Sequence, residues 1–161
     1  MFDKFGEFDS AEEINRAAAA QLAEGDTEAI YAIAKENGID VEEADDFIDG
    51  VTTELVNPLM AALGKLRVEA EELKPEEIME DWLTYIKGQC MNDEAVAAAV
   101  RKKGKNLRGC IAALLKWSFA NAKGVDKDII KAAGVSAPRV TLGIPGMGRA
   151  RKIITEYYMG R

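Results

Sequence analysis

The chain has 161 residues, enough to bury a substantial core as one domain or a domain with a smaller appendage. Its 48% apolar content and four prolines exclude a disordered chain, and no run approaches the roughly 18 apolar residues of a membrane span. It has no histidine, which excludes Ser-His-Asp and Cys-His triads and the zincin helix, and its net charge is −7.

Abundant Ala, Glu, Lys and Leu with few β-branched runs favour helix, and capping signals mark the helices in order. Phe2, Phe5 and Phe8 precede the first helix, either tucked onto the core or offered to a partner. Ser10 and Glu13 form a capping box that opens a helix over 11–24, stopped by Gly25. The alanines at 17–20 on that helix suit a close helix–helix contact. Asp26 caps a second helix carrying Ile30, Ile33 and Ala34 and ended by Gly38. Asp40 caps a short third, closed by Gly50, and Asn57-Pro58 opens a fourth that ends near Leu73. Pro75 is expected as the first residue of a fifth helix, running to Cys90. A sixth spans 93–103 and a seventh 106–122, on which Leu107, Cys110, Ile111, Leu114, Leu115 and Phe119 are expected to face a core. Asp126 caps an eighth, and a ninth runs through Ala150 to Tyr158. No strand-like alternation or internal repeat is apparent. The expected fold is all-α, a multi-helix globular bundle of about eight or nine short to medium helices.

Cys90 and Cys110 sit among helical apolar neighbours and read as buried thiols. With no histidine and two cysteines, no zinc site is expected, and no cofactor or catalytic pair stands out among the 28 acidic residues, so the chain does not read as an enzyme. The N-terminus lacks the basic start and apolar centre of a signal peptide, which places the protein in a cytoplasm, with no membrane partner.

Charge divides the chain into two halves. Residues 1–73 hold 19 Asp+Glu and 5 Lys+Arg, a net of −14, and residues 74–161 hold 9 and 16, a net of +7. From Ala95 onward there are 14 basic and 3 acidic residues. Either the halves attract each other or each meets its own partner. The cluster Glu42, Glu43, Asp45, Asp46 and Asp49 is the candidate acidic face for a basic partner. The candidate phosphate-binding residues are Lys102, Lys103, Lys105, Arg108, Arg139, Gly146, Gly148, Arg149, Arg151 and Lys152.

The last six of these follow or lie within the glycine-rich hairpin at 143–148 or precede it in the basic half. Neither a Walker loop nor a Rossmann spacing fits there, because no Gly-Lys-Ser/Thr ending and no preceding strand is present. The run Ile144-Pro145-Gly146-Met147-Gly148 resembles the hairpin of helix-hairpin-helix DNA-binding modules. Glycines there let backbone N–H groups approach a phosphate, and a helix expected to open at Gly148 adds partial positive charge next to Arg149, Arg151 and Lys152. Lys152 stands where those modules carry an alanine. A simple corner between two helices is the alternative. Residues 129–140 faintly resemble a helix-turn-helix with its turn at Gly134, Val135 and Ser136, but Gly143 and Pro145 would cut a recognition helix short.

Residues 85–115 resemble the PcfK-like family of mobile genetic elements. The resemblance rests on Tyr85-Ile86, Asp93, Val96-Ala97, the turn from Lys103 to Lys105 and Cys110-Ile111, then Gly124, Asp126, Ile129, Ala132 and Tyr157-Tyr158. The interval from Ala132 to the tyrosines is longer than the family's, because the glycine hairpin falls within it. The opening, residues 1–15, is similar to the start of a long form. The resemblance implies a phage or mobile-element protein in a bacterial cytoplasm that acts by binding. Family members include anti-CRISPR proteins that inhibit a type II RNA-guided Cas nuclease, so a Cas ribonucleoprotein is the implied partner. The alternative is an accessory protein of a conjugative element or phage that binds double-stranded DNA without sequence specificity.

Overall fold

The computed structural model describes residues 2–161 and bears out the all-α expectation. Among the described residues it has nine helices and one two-stranded ribbon. The helices are α1 (Ala11–Glu24), α2 (Thr27–Glu36), α3 (Val41–Ile48), α4 (Pro58–Leu73), α5 (Ile78–Asn92), α6 (Glu94–Arg101), α7 (Leu107–Asn121), α8 (Lys127–Ala132) and α9 (Met147–Met159). The ribbon, absent from the sequence-based expectation, pairs β1 (Lys123–Gly124) with β2 (Thr141–Leu142) antiparallel. Two residues per strand are too few for alternation to show.

The capping chemistry works locally. Ser10 Oγ accepts from the Glu13 N–H at 3.2 Å, while the Glu13 carboxylate accepts from the Asp9 N–H, one residue earlier than a standard box. Asp26 Oδ1 accepts from the Ala29 N–H and Asn57 Oδ1 from the Met60 N–H, with Pro58 at the first helical position. Asp40 makes no cap bond, because its carboxylate pairs instead with Arg67 at 2.6 Å. The fifth helix opens later than expected. Pro75 lies in a connection in which Lys74 and Glu77 both take left-handed backbone angles, and α5 starts only at Ile78.

The chain divides into two compact units, Met1–Gly109 and Cys110–Arg161, a boundary well past the charge boundary at 73/74. In the N-terminal unit, α1 packs on α2, α2 on α3, and α4, α5 and α6 on one another. Ile14, Ile30, Ile33, Phe47, Leu55 and Val56 form an apolar cluster, with Phe5 and Phe8 packed against it, which favours the tucked reading for those two. One contact draws two backbones together. A Cβ at Gly38 would lie 2.2 Å from the Gly64 carbonyl oxygen, and one at Gly64 would lie 2.2 Å from the Asn37 oxygen.

In the C-terminal unit, α7 buries Cys110 and Leu114, and α9 buries Ala150, Ile154 and Tyr158. Leu115 and Phe119, expected in the core, are 55% and 80% exposed. Of the expected stripe, Cys110 and Leu114 are buried in this unit, while Leu107, at the start of α7, is buried in the N-terminal unit. Leu114 is fully buried, so Leu114→Ala is expected to cost about 2–5 kcal/mol through lost burial and a residual cavity. A loss under ~1 kcal/mol in denaturant unfolding would contradict that burial. The Cys90 thiol, pushed up to about 11 by burial, carries little thiolate near neutrality.

Candidate nucleic-acid interface

The sequence-derived basic residues fall in different units and are described unit by unit. Lys102, Lys103, Lys105 and Arg108 belong to the N-terminal unit, at the turn between α6 and the start of α7. This turn is held from inside. Lys65 of α4, fully buried, donates from Nζ to the carbonyls of Lys102 at 2.9 Å, of Arg101 at 3.4 Å and of Lys105, and pairs with Glu7 at 2.9 Å. Asp9 accepts from the Lys103 N–H at 2.9 Å, and buried Glu69 accepts from the Leu107 N–H at 3.0 Å. Glu69 thus bonds the first amide of α7, where helix dipoles favour negative charge. Arg101, 1% exposed, donates to the Phe8 carbonyl and to Asn37 Oδ1, and its guanidinium lies 5.6 Å from the centre of the Phe2 ring. With the turn backbone fixed in this way, Lys102, Lys103 and Arg108 are presented to solvent, and Lys105 is half-buried.

Burial sets the protonation chemistry here. It pushes the Glu69 carboxyl up to about 7, against the opposing pull of the Lys65 ammonium, and it lowers Arg101 to about 10. A carboxyl raised from 4.5 binds its proton more tightly when folded. Its contribution to stability is therefore fully present below about 4.5 and is lost as pH rises through about 7. Glu69→Gln keeps an acceptor for Leu107 without the charge. The stability difference between variant and native protein should move in the variant's favour by about 2 kcal/mol between pH 5 and pH 8. Urea unfolding at the two pH values tests this, and an unchanged difference would refute it.

The acidic face is on α3 and its C-terminal end. Glu42, Asp45, Asp46 and Asp49 are exposed and Glu43 is half-buried. Asp45 accepts from the Tyr31 hydroxyl, a bond that raises the Tyr31 pKa.

The remaining candidates are in the C-terminal unit, which carries 9 Lys+Arg and 3 Asp+Glu, a net of +6, all on exposed side chains. Arg139 lies in the irregular connection from α8 to β2, where no recognition helix follows the Gly134 turn. The hairpin resolves into two kinds of glycine. A Cβ at Gly143 would come within 2.6 Å of the Ser118 carbonyl on α7, so this glycine serves packing, and Pro145 beside it is buried. Gly146 and Gly148 have open space around the Cβ position and no positive φ. Neither is required by the fold.

The helix start also differs from the expectation. Gly146 is the N-cap and α9 opens at Met147, with no side chain capping it; the Arg149 and Ala150 N–H groups bond back to the Gly146 carbonyl at 3.0 and 2.9 Å, and the two amides before them, at Met147 and Gly148, are left to solvent or a ligand. Only Arg149 of the three cations is in the first turn, and its guanidinium sits 5.8 Å from the centre of the Trp117 ring. Arg151 and Lys152 lie in the second turn. They line a concavity of about 390 Å³ with Thr155, Glu156 and Arg161.

Sequence reasoning missed Trp117, Ile153 and Tyr157, which line a groove of about 470 Å³ between α7 and α9. The spacing Arg149, Ile153, Tyr157 on α9 and Ala113, Trp117, Asn121 on α7 was the available signal, two i, i+4, i+8 stripes. Among the described residues, no three of His, Cys, Asp and Glu come together to hold a metal ion, and no helix is long and apolar enough to cross a membrane. Comparison of the chain with protein-family models, curated proteins and solved structures finds no match in any of the three.

Proposed function

We propose that the protein acts by binding, with the start of α9 holding nucleic-acid phosphates without regard to base sequence. The observation that carries this reading is the uncapped N-terminus of α9. It is opened by two glycines that neither packing nor backbone angle requires, and followed by Arg149, Arg151 and Lys152. Exposed amides and the positive end of a helix attract phosphate, and glycine lets the phosphate come close. The setting is the one implied by the PcfK-like resemblance: a phage or mobile-element protein in a bacterial cytoplasm, inhibiting a type II Cas nuclease by binding it, its nucleic acid, or both.

A second reading is inhibition through protein contact alone. The specific observation favouring it is the N-terminal unit's charge, 25 Asp+Glu against 12 Lys+Arg, with the exposed α3 carboxylates suited to a basic nucleic-acid channel.

Changing Arg149, Arg151 and Lys152 together to Gln is expected to weaken double-stranded DNA binding uniformly across sequences. The log–log salt slope should fall by about one unit per contact removed. A native protein with no salt-dependent DNA affinity would leave the hairpin as a corner. Titration into a Cas cleavage reaction, before and after target binding, then separates the readings: inhibition that survives the triple change belongs to the acidic unit.

A further inference from the structure

We infer that the groove between α7 and α9 takes unstacked bases, so that the preferred nucleic acid is a single strand. This inference rests on the phosphate-binding reading above and narrows its substrate class. Three observations meet in this groove.

The first is aromatic surface placed at a groove. Trp117 and Tyr157, both half-buried, line a 470 Å³ space whose other apolar walls are Ala113, Ala120 and Ile153 and whose polar ones are Lys116, Asn121 and Glu156. In a core, such rings would be covered. Here they line an opening, and a ring face at an opening offers a stacking surface for any base.

The second is a cation already against one ring. Arg149 lies 5.8 Å from the centre of the Trp117 ring, a cation–π distance. A guanidinium in that place can stack on a base inserted beside the indole and meet its phosphate. Duplex DNA offers no free base faces to such a platform, because its bases are stacked on one another.

The third is charge. Lys116 lines the groove, and Arg151, Lys152 and Arg161 line the neighbouring concavity, with Glu156 shared by both. A backbone tracking along α9 would meet cations on both sides of one carboxylate. This pattern fits a polyanion with flat apolar faces better than an amphipathic protein helix, whose apolar face would leave these cations unanswered.

The test compares a fluorescent oligothymidine of about 15 nucleotides with a duplex of the same length over a salt series, using the full chain. The single strand should bind more tightly. Trp117→Ala and Tyr157→Ala should each lower single-strand affinity by about 5–150-fold, the range for one lost stacking base, while duplex affinity and the salt slope hold. Trp82→Phe leaves Trp117 as the sole indole, and its emission should be quenched by the single strand and not by the duplex. This measurement does not depend on a groove variant folding. Salt-dependent duplex binding with no single-strand preference and no quenching would overturn the groove inference and leave the phosphate reading standing. Absence of binding to either form would overturn both.

Discussion

Replacing Lys65 with methionine is expected to lower the unfolding free energy by about 3–5 kcal/mol, at least a fifth of the stability of an ordinary domain. The ammonium is fully buried and serves the carbonyls of Arg101, Lys102 and Lys105 together with the Glu7 carboxylate. Methionine fills a similar volume, so the loss comes from polarity and not from a cavity. Three converging carbonyls lose the ammonium; the Lys102 oxygen keeps the Lys105 N–H at 3.2 Å, and each buried acceptor left without a donor costs about 1–3 kcal/mol. Glu7 is partly exposed and can turn to water, which limits its share. Glu69, 6% exposed, cannot, and the loss of the nearby positive charge pushes its carboxyl further toward the protonated form. Urea unfolding of Lys65→Met, Glu7→Gln and the double variant gives the coupling directly. A single-variant loss below ~1 kcal/mol would show that the turn at 101–105 holds its shape without the ammonium.

Gly64→Ala is the second large effect. Alanine in a helix interior is normally better than glycine by up to about 1 kcal/mol. At Gly64 the new methyl would stand 2.2 Å from the Asn37 carbonyl oxygen and 3.1 Å from Ile39 Cδ1. The obstacle is backbone, which cannot swing aside as a flexible side chain can, so α2 and α4 must separate. Overpacking of that kind costs about 1–3 kcal/mol and occasionally more, and the upper end applies because Gly38 brings its own backbone to the same contact. Gly88, inside α5 with nothing near its Cβ position, is the control. There alanine should stabilise by about 0.5–1 kcal/mol. Thermal unfolding of the two variants should shift in opposite directions; equal shifts would mean that the α2–α4 approach is looser than described.

The sequence carried the local features of this fold well and the distant ones poorly. Ser10, Asp26, Asn57-Pro58 and Asp126 were legible as caps because the capping bond spans two or three residues and needs no tertiary context. The phase of α7 was not, because that helix carries apolar residues on more than one face. A periodicity that accommodates Leu115 and Phe119 fits as well as one that does not. Nothing in the sequence marks Lys65, Glu69 and Arg101 for burial, since it depends on partners tens of residues away. Gly64 was silent for the same reason: its function is fixed by Gly38, on the far side of α3. For the interface, the glycines and cations at 146–152 could be picked out as a group, but the division of labour between Gly143 and the other two glycines depends on where α7 runs.

The seam between the two compact units falls inside α7, between Gly109 and Cys110, with helix on both sides. Most two-unit chains are joined by an exposed, irregular tether that a protease can thread into its cleft. Here the seam lies in the first turn of α7, where the Gly109 N–H donates to Asn106 Oδ1 at 2.7 Å, and Leu107 and Cys110 are buried. The stretch that does resemble a tether, Ala133 to Arg139, is exposed throughout but lies within the C-terminal unit, between α8 and β2. Nicking there divides the basic unit and leaves the seam whole, so enzymatic digestion would not yield the acidic and basic pieces as separate, intact bodies.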